Sequence, residues 1–234
     1  MKLQGIVRKT SIAILLLIGV SLWVQAQNRP PKLRFEDIYT KIDTFSTSQH
    51  YYNQRCRWFN DTVVTCNLVT PHTFDLQYYL KSNRLDSTYV PTDQEKERYL
   101  SFFEIGAQNC HSYSLECYFK NSGIEGISLF DHNTSVGSEY LTKILASTFE
   151  KVQELTIKPK HKPKEGIVSN TILVFSSRYS RAIHSVYYSN GVYFSKNGAF
   201  APKTYSNLND ILKLYFDTTI IEAYQLKAAI RAKL

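Results

Sequence analysis

Four cysteines and a single methionine stand among 234 residues, too few thiols for a disulfide-built scaffold. Glycine (9) and proline (7) are scarce, which excludes collagen-like and low-complexity chains. No Cys-x-x-Cys or His-x-x-x-His spacing occurs, so no metal site is expected. A phosphate-binding loop and a dinucleotide fingerprint are both missing, so no cofactor is expected. There is no internal repeat. No apolar run reaches the ~20 residues that a spanning helix needs.

What is present is a core. Hydrophobic residues make up 43% and charged residues 21%, a balance that permits a packed interior and argues against global disorder. Tyr 17 and Phe 13 point to an aromatic-rich core or groove. The N-terminus reads as a signal peptide over residues 1–26. Lys2, Arg8 and Lys9 precede the apolar stretch Ile12 to Val24, and Val24-Gln25-Ala26 offers small residues for cleavage before Gln27. No cysteine sits there to support lipoprotein processing. Export to the periplasm or beyond follows, with no stable membrane span after cleavage. Removing three cations and no acid takes the whole-chain charge of +8 to +5. Nucleic-acid binding would rest on that charge alone, and export argues against it.

Along the exported chain, residues 27–32 read as an extended leader. Tyr51 to Val69 reads as a β-hairpin about Asn60-Asp61. A three-residue loop there would set Cys56 opposite Cys66, as a cross-strand disulfide or as two buried thiols. Thr92-Asp93-Gln94-Glu95 is a capping box that predicts a helix to about Ile105, stopped by Gly106. Asn109 caps a second helix from Cys110 to a stop at Gly123, with Leu115, Tyr118 and Phe119 on its apolar side. A third runs from Ser138 to about Lys151. The basic connector Lys158 to Lys164 reads as a solvated loop. Strands follow at Thr171 to Ser176, Ala182 to Ser189 and Val192 to Lys196. The last two are joined by Asn190-Gly191, the strongest short hairpin signal. A helix over Asn207 to about Phe216 and a strand over Thr218 to Gln225 complete the order. Helices grouped ahead of a meandering sheet predict an α+β fold.

One constellation carries chemistry. A thiol at the first position of a helix meets the positive end of its dipole and unpaired backbone N–H groups, which favour thiolate. Those N–H groups can also hold an oxyanion, and Gln108 offers a side-chain amide for the same purpose. Cys117, about 10 Å along the helix, is too far to bridge and reads as a small buried hydrophobe. Of six histidines, His111 points about 100° away around the helix, and His50, His72, His132 and His161 fall in loops or caps. His184 lies within a strand. The Asn190-Gly191 loop makes Ser189 face Val192 and, counting back, makes His184 face Asn197. An asparagine there can fix the imidazole tautomer and aim its other nitrogen at a thiol. Ser195, on the same face, is the substitute if the register slips by two. Against this stand the bland readings: a satisfied strand histidine, and Asn197-Gly198 as a simple turn.

Asn109-Cys110-His111-Ser112-Tyr113 opening a helix, with Ile172 to Gly198 as a later sheet, resembles the papain-like cysteine hydrolases, and within them the NlpC-like and CHAP-like amidase/peptidase branch. The resemblance covers about Gly106 to Leu226. It implies a nucleophile helix packed on an antiparallel sheet, Cys110 as nucleophile, His184 as base and Asn197 as orienter. The small-residue motif usual around the cysteine is absent here, and the insert before His184 is long. Transglutaminase-like proteins share the order but want Asp where Asn197 stands. The expectation is therefore an N-terminal extension over 27–105 and a papain-like core over 106–234. Its activity would be hydrolysis of amide bonds by Cys-His-Asn acyl transfer, on a peptide or peptidoglycan substrate. The competing expectation is an exported binding or structural module on the same scaffold, without turnover.

Overall fold

The computed structural model describes residues 35–47, 51–68, 92–94, 108–124, 134–158, 166–198 and 200–233. The signal segment, the leader, the stop at Gly106, most of the helix expected after Thr92, the connector from Pro159 and four of the six histidines lie outside the described residues. The described elements are α1 (Phe35–Ile38), β1 (Tyr39–Thr47), β2 (Tyr51–Trp58), β3 (Asp61–Leu68), α2 (Cys110–Asn121), β4 (Thr134–Val136) and α3 (Ser138–Thr148). After these come β5 (Phe149–Thr156), β6 (Thr171–Ser177), β7 (His184–Ser189), β8 (Val192–Ser195), β9 (Lys203–Tyr205), α4 (Leu208–Leu214), β10 (Thr218–Leu226) and α5 (Ala228–Arg231). The class is α+β: two antiparallel sheets and a few helices. One sheet runs β1-β2-β3-β4, the other β5-β10-β6-β7-β8-β9.

Apolar faces determine how the layers stack. Trp58 and Val63 from the first sheet meet Leu115 and Phe119 of α2, Leu141 and Ile144 of α3, and Ile172, Val174 and Tyr187 of the second sheet in one core. The two helices thus lie between the sheets. Aromatic rings fill this layer edge to face: Phe119 stands 5.7 Å from Trp58 and 6.0 Å from Phe149. The indole N–H of Trp58 is satisfied by Thr148 Oγ1 at 3.1 Å. Strand alternation sends Leu173, Phe175 and Val186 to the opposite face, where Leu208 and Ile211 of α4 cover them.

Three sequence expectations change. The hairpin turns on Phe59-Asn60, with Trp58 paired to Asp61 and Phe59 at φ 51°. Cys56 therefore pairs with Val63, and Cys66 with Asn53. The two cysteines fall on opposite faces, and both thiols are free. The register that wins buries Thr65 and Asn67, because Asn67 accepts from Thr134 Oγ1 at 2.6 Å and so ties β3 to β4. The third helix ends at Thr148, and Phe149–Thr156 is an edge strand on β10. Only Phe149 and Leu155 are buried along it, so the sequence there shows no strand alternation. Short strands β1, β4 and β9 also carried too little pattern to stand out.

Tyr118 connects the helix layer to the end of the second sheet, accepting from the buried Leu226 N–H at 2.9 Å. Tyr118→Phe keeps the ring and strands that donor, so urea unfolding should report a loss of about 1–3 kcal/mol. An unchanged midpoint would mean the bond is not used.

Candidate functional site

The start of α2 is held on two sides. Asn109 caps it: its Oδ1 accepts from Ser112 N–H at 3.1 Å, while Ser112 Oγ accepts from Asn109 N–H at 3.1 Å. The same side chain exchanges hydrogen bonds with Val136 of β4 at 2.8 and 3.3 Å. The far end closes as expected at Gly123, whose φ of 75° lets Ile124 N–H reach back to Phe119 O at 3.3 Å. Cys110 is thereby fixed as the first helical residue, against the start of β7.

Two polar clusters meet there. In the first, His111 Nδ1 lies 3.6 Å from the Cys110 sulfur and 2.9 Å from Ser185 Oγ. Ser185 also reaches Ser114 Oγ at 2.9 Å and Cys110 O at 3.3 Å. Ser138 Oγ donates to Ala182 O at 3.0 Å, so at 3.3 Å it accepts from His111 Nε2–H. Both His111 nitrogens are thus occupied. In the second cluster, Ser195 Oγ and the Tyr215 hydroxyl both donate to Asn197 Oδ1, at 3.4 and 3.2 Å. Ser195 then accepts from His184 Nε2–H at 2.9 Å. That proton placement, assigned from the network, leaves His184 Nδ1 with a bare lone pair. It is one of two buried side-chain polar atoms without a partner among the described residues, the other being Gln54 Oε1. Tyr215 stacks on the imidazole at 4.0 Å and 14°.

The hairpin register is the expected one, with Ser189 opposite Val192. Strand β8 stops at Ser195, however, so the serine is the direct partner of His184 and Asn197 stands behind it. No hydrogen bond joins the Cys110 sulfur to His184. Alternation along β7 turns Ser185 and Tyr187 toward α2, while His184 shares a face with Val186 and packs beneath Tyr215. Gln108 is buried, and its amide nitrogen donates to Glu116. The sequence reading passed over His111, Ser185 and Tyr215. The outward angle assigned to His111 ignored the strand that the helix start abuts.

Burial dominates the electrostatics. It pushes the Cys110 thiol up to about 11, although the N–H groups of Ser185, His111 and Cys110 itself pull the other way. Burial also lowers His111 to about 4, and it lowers His184 to about 3 with help from His111 nearby. The Tyr215 hydroxyl is raised by burial and then by the Cys110 sulfur. The clusters therefore feel one another, and at neutral pH thiol and imidazoles are all uncharged. Among the described residues no group of His, Cys, Asp and Glu is arranged to hold a metal ion, and no helix is long and apolar enough to cross a membrane. Comparison with protein-family models, with curated proteins and with solved structures finds no match.

Both histidines bind protons less readily folded than unfolded. Their contribution to stability is intact above the unfolded value near 6.5 and is lost as pH falls toward the folded values of about 4 and 3. Urea midpoints should fall steeply on acidification. His184→Asn should flatten the slope of unfolding free energy by up to about 1.4 kcal/mol per pH unit. A wild-type slope in that variant would show that His184 is not buried neutral.

Proposed function

We propose that the protein is a thiol hydrolase acting on amide bonds, built on a papain-like core, with Cys110 as nucleophile and His184 as base. The observation that carries this reading is the bare Nδ1 of His184. A buried polar atom without a partner costs about 1–3 kcal/mol and is kept where it has work to do. The opposite nitrogen is anchored by Ser195, with Asn197 and Tyr215 behind it, which is how an orienter fixes a catalytic tautomer. Ser195 therefore takes the orienting position and Asn197 supports it. Cys110 attacks the carbonyl carbon, its proton passes to His184 Nδ1, and the leaving amine takes that proton back. The acyl-thioester is then hydrolysed by water. The Cys110 N–H, which points at its own sulfur at the helix start, is placed to support the oxyanion as well. His111 Nδ1 lies 3.6 Å from the sulfur but is held by Ser185 Oγ at 2.9 Å, so in this proposal His111 secures the helix start and His184 takes the base role. Exported location and the resemblance to NlpC-like and CHAP-like enzymes favour stem peptides of peptidoglycan as the substrate.

The non-catalytic binding module remains the second reading, and one observation favours it. Cys110 is only 9% exposed and His184 0%, so thiol and base rest neutral and unpaired with each other. The hydrolase must therefore draw them together when substrate enters, as catalytic contacts in unliganded enzymes often tighten only on binding.

Mass spectrometry of peptidoglycan fragments should show amide cleavage by the wild type, and loss of about 10³-fold or more in Cys110→Ser and His184→Ala. Wild-type speed from Cys110→Ser ends the proposal. A peptidyl chloromethyl ketone gives an independent measure. It should alkylate Cys110 at neutral pH far faster than iodoacetamide does, and His184→Ala should remove the difference. Equal, slow labelling by both reagents would establish the module instead.

A further inference from the structure

A groove of about 450 Å³ opens between α3 and the second sheet, away from the Ser195 side of the site. Leu145 and Ala146 of the helix form one wall, and Val174 and Ile220 form the floor. Its charges are laid out in order along the strands. Glu222 pairs across β10 with both Glu154 and Val174, so the two carboxylates and the valine make one row. Ile220 and Ser176 make the next row. Beyond Ser177 the chain turns, and Arg181 lines the groove from that loop. From the carboxylate row to the end of β6 is three strand residues, roughly 10 Å.

The two ends differ in what they leave available. Among the described residues the Arg181 guanidinium makes no hydrogen bond or ion pair, and its side chain is exposed. At the other end, Glu222 accepts from Lys151 Nζ at 3.0 Å and from the Tyr224 hydroxyl at 3.1 Å. Two carboxylate oxygens offer about four lone-pair sites, so Glu222 has acceptor capacity left. Lys151 Nζ also holds Glu154, at 2.6 Å, so two carboxylates share one ammonium and that end keeps one net negative charge. A trough with an apolar floor, a cation at one end and net negative charge at the other is complementary to a zwitterion with an apolar middle.

We propose that this groove binds a short free peptide, with its C-terminal carboxylate on Arg181 and its N-terminal ammonium on Glu222. An extended chain covers about 3.3–3.6 Å per residue, so a tripeptide spans the roughly 10 Å between the charged ends. Its central side chain lies on Val174 and Ile220. The groove also borders Ala182, whose carbonyl accepts from Ser138, the hydroxyl that holds His111. The site is nevertheless independent of the thiol chemistry, and its test does not use turnover.

The test is an NMR titration of the Cys110→Ser protein with alanyl-leucyl-alanine. Saturating shifts are expected at the amides of Ser176, Ala182 and Tyr224. Arg181→Ala should weaken the free tripeptide about tenfold, the effect of one charged hydrogen bond, and leave its C-terminal amide form unchanged. Glu222→Gln should weaken the free tripeptide and leave its N-acetyl form unchanged. Glu154→Gln, in the same row, repeats that arm if Glu222→Gln disturbs the fold. Absence of saturating shifts, or equal affinity for free and capped peptides in the unsubstituted site, overturns the proposal.

Discussion

The structure depends on how the first turn of α2 is held against strand β7. A helix start carries N–H groups with no partner of their own, and burying it requires every one to be answered. Asn109 Oδ1 accepts from one of them, Ser112 N–H, and from Val136 N–H of β4, while the side chains of His111, Ser185 and Ser114 tie the helix start to β7. Small hydroxyl residues are what allow the approach. Ser114 and Ser185 meet oxygen to oxygen at 2.9 Å, and because each hydroxyl sits one bond from Cβ, the helix and strand that carry them lie close. From that contact follow the position of Cys110, the placement of α2 between the sheets and the burial of both histidines.

Within such a packed polar layer, satisfaction is the rule, and the single ring nitrogen that breaks it stands out. Serine hydroxyls complete the valences of His111 on both sides. On His184 the same kind of residue, Ser195, completes only one. The difference is not a shortage of polar neighbours, because Asn197 and Tyr215 are both committed to holding Ser195 and the ring in place. Ser195 at the end of β8, Asn197 in the loop after it and Tyr215 just past α4 thus maintain one orientation of an imidazole whose other nitrogen is unused in the resting protein.

The parts of this arrangement that could be read from the sequence are those set by strong local rules. Asn109 before an apolar-periodic run placed Cys110 at the helix start. Asn190-Gly191, with φ values of 49° and 83°, closed the hairpin in the expected register. Register alone then led to Asn197, but it does not say where a strand ends, and β8 stops two residues short. The hairpin of Cys56 and Cys66 failed for the opposite reason. Its turn has no glycine, so the register came from long-range burial of Thr65 and Asn67 against β4, a three-residue strand invisible in isolation. His111 was missed because helical angle was judged without the neighbouring sheet.

Burial has a double effect on the chemistry proposed for this site. It raises the Cys110 thiol and lowers His184 by the same cause, the cost of charge in a dry interior. The two values of about 11 and about 3 are therefore not independent obstacles. Any event that admits a polar group to the cluster relaxes both, bringing the thiol down and the imidazole up. The N–H groups of Ser185, His111 and Cys110 are already in place to favour the thiolate, and Ser195 is in place to hold the ring. A substrate amide entering the site would supply the polarity as well as the carbonyl. Reactivity would then be coupled to occupancy, and the resting thiol would be protected from oxidation.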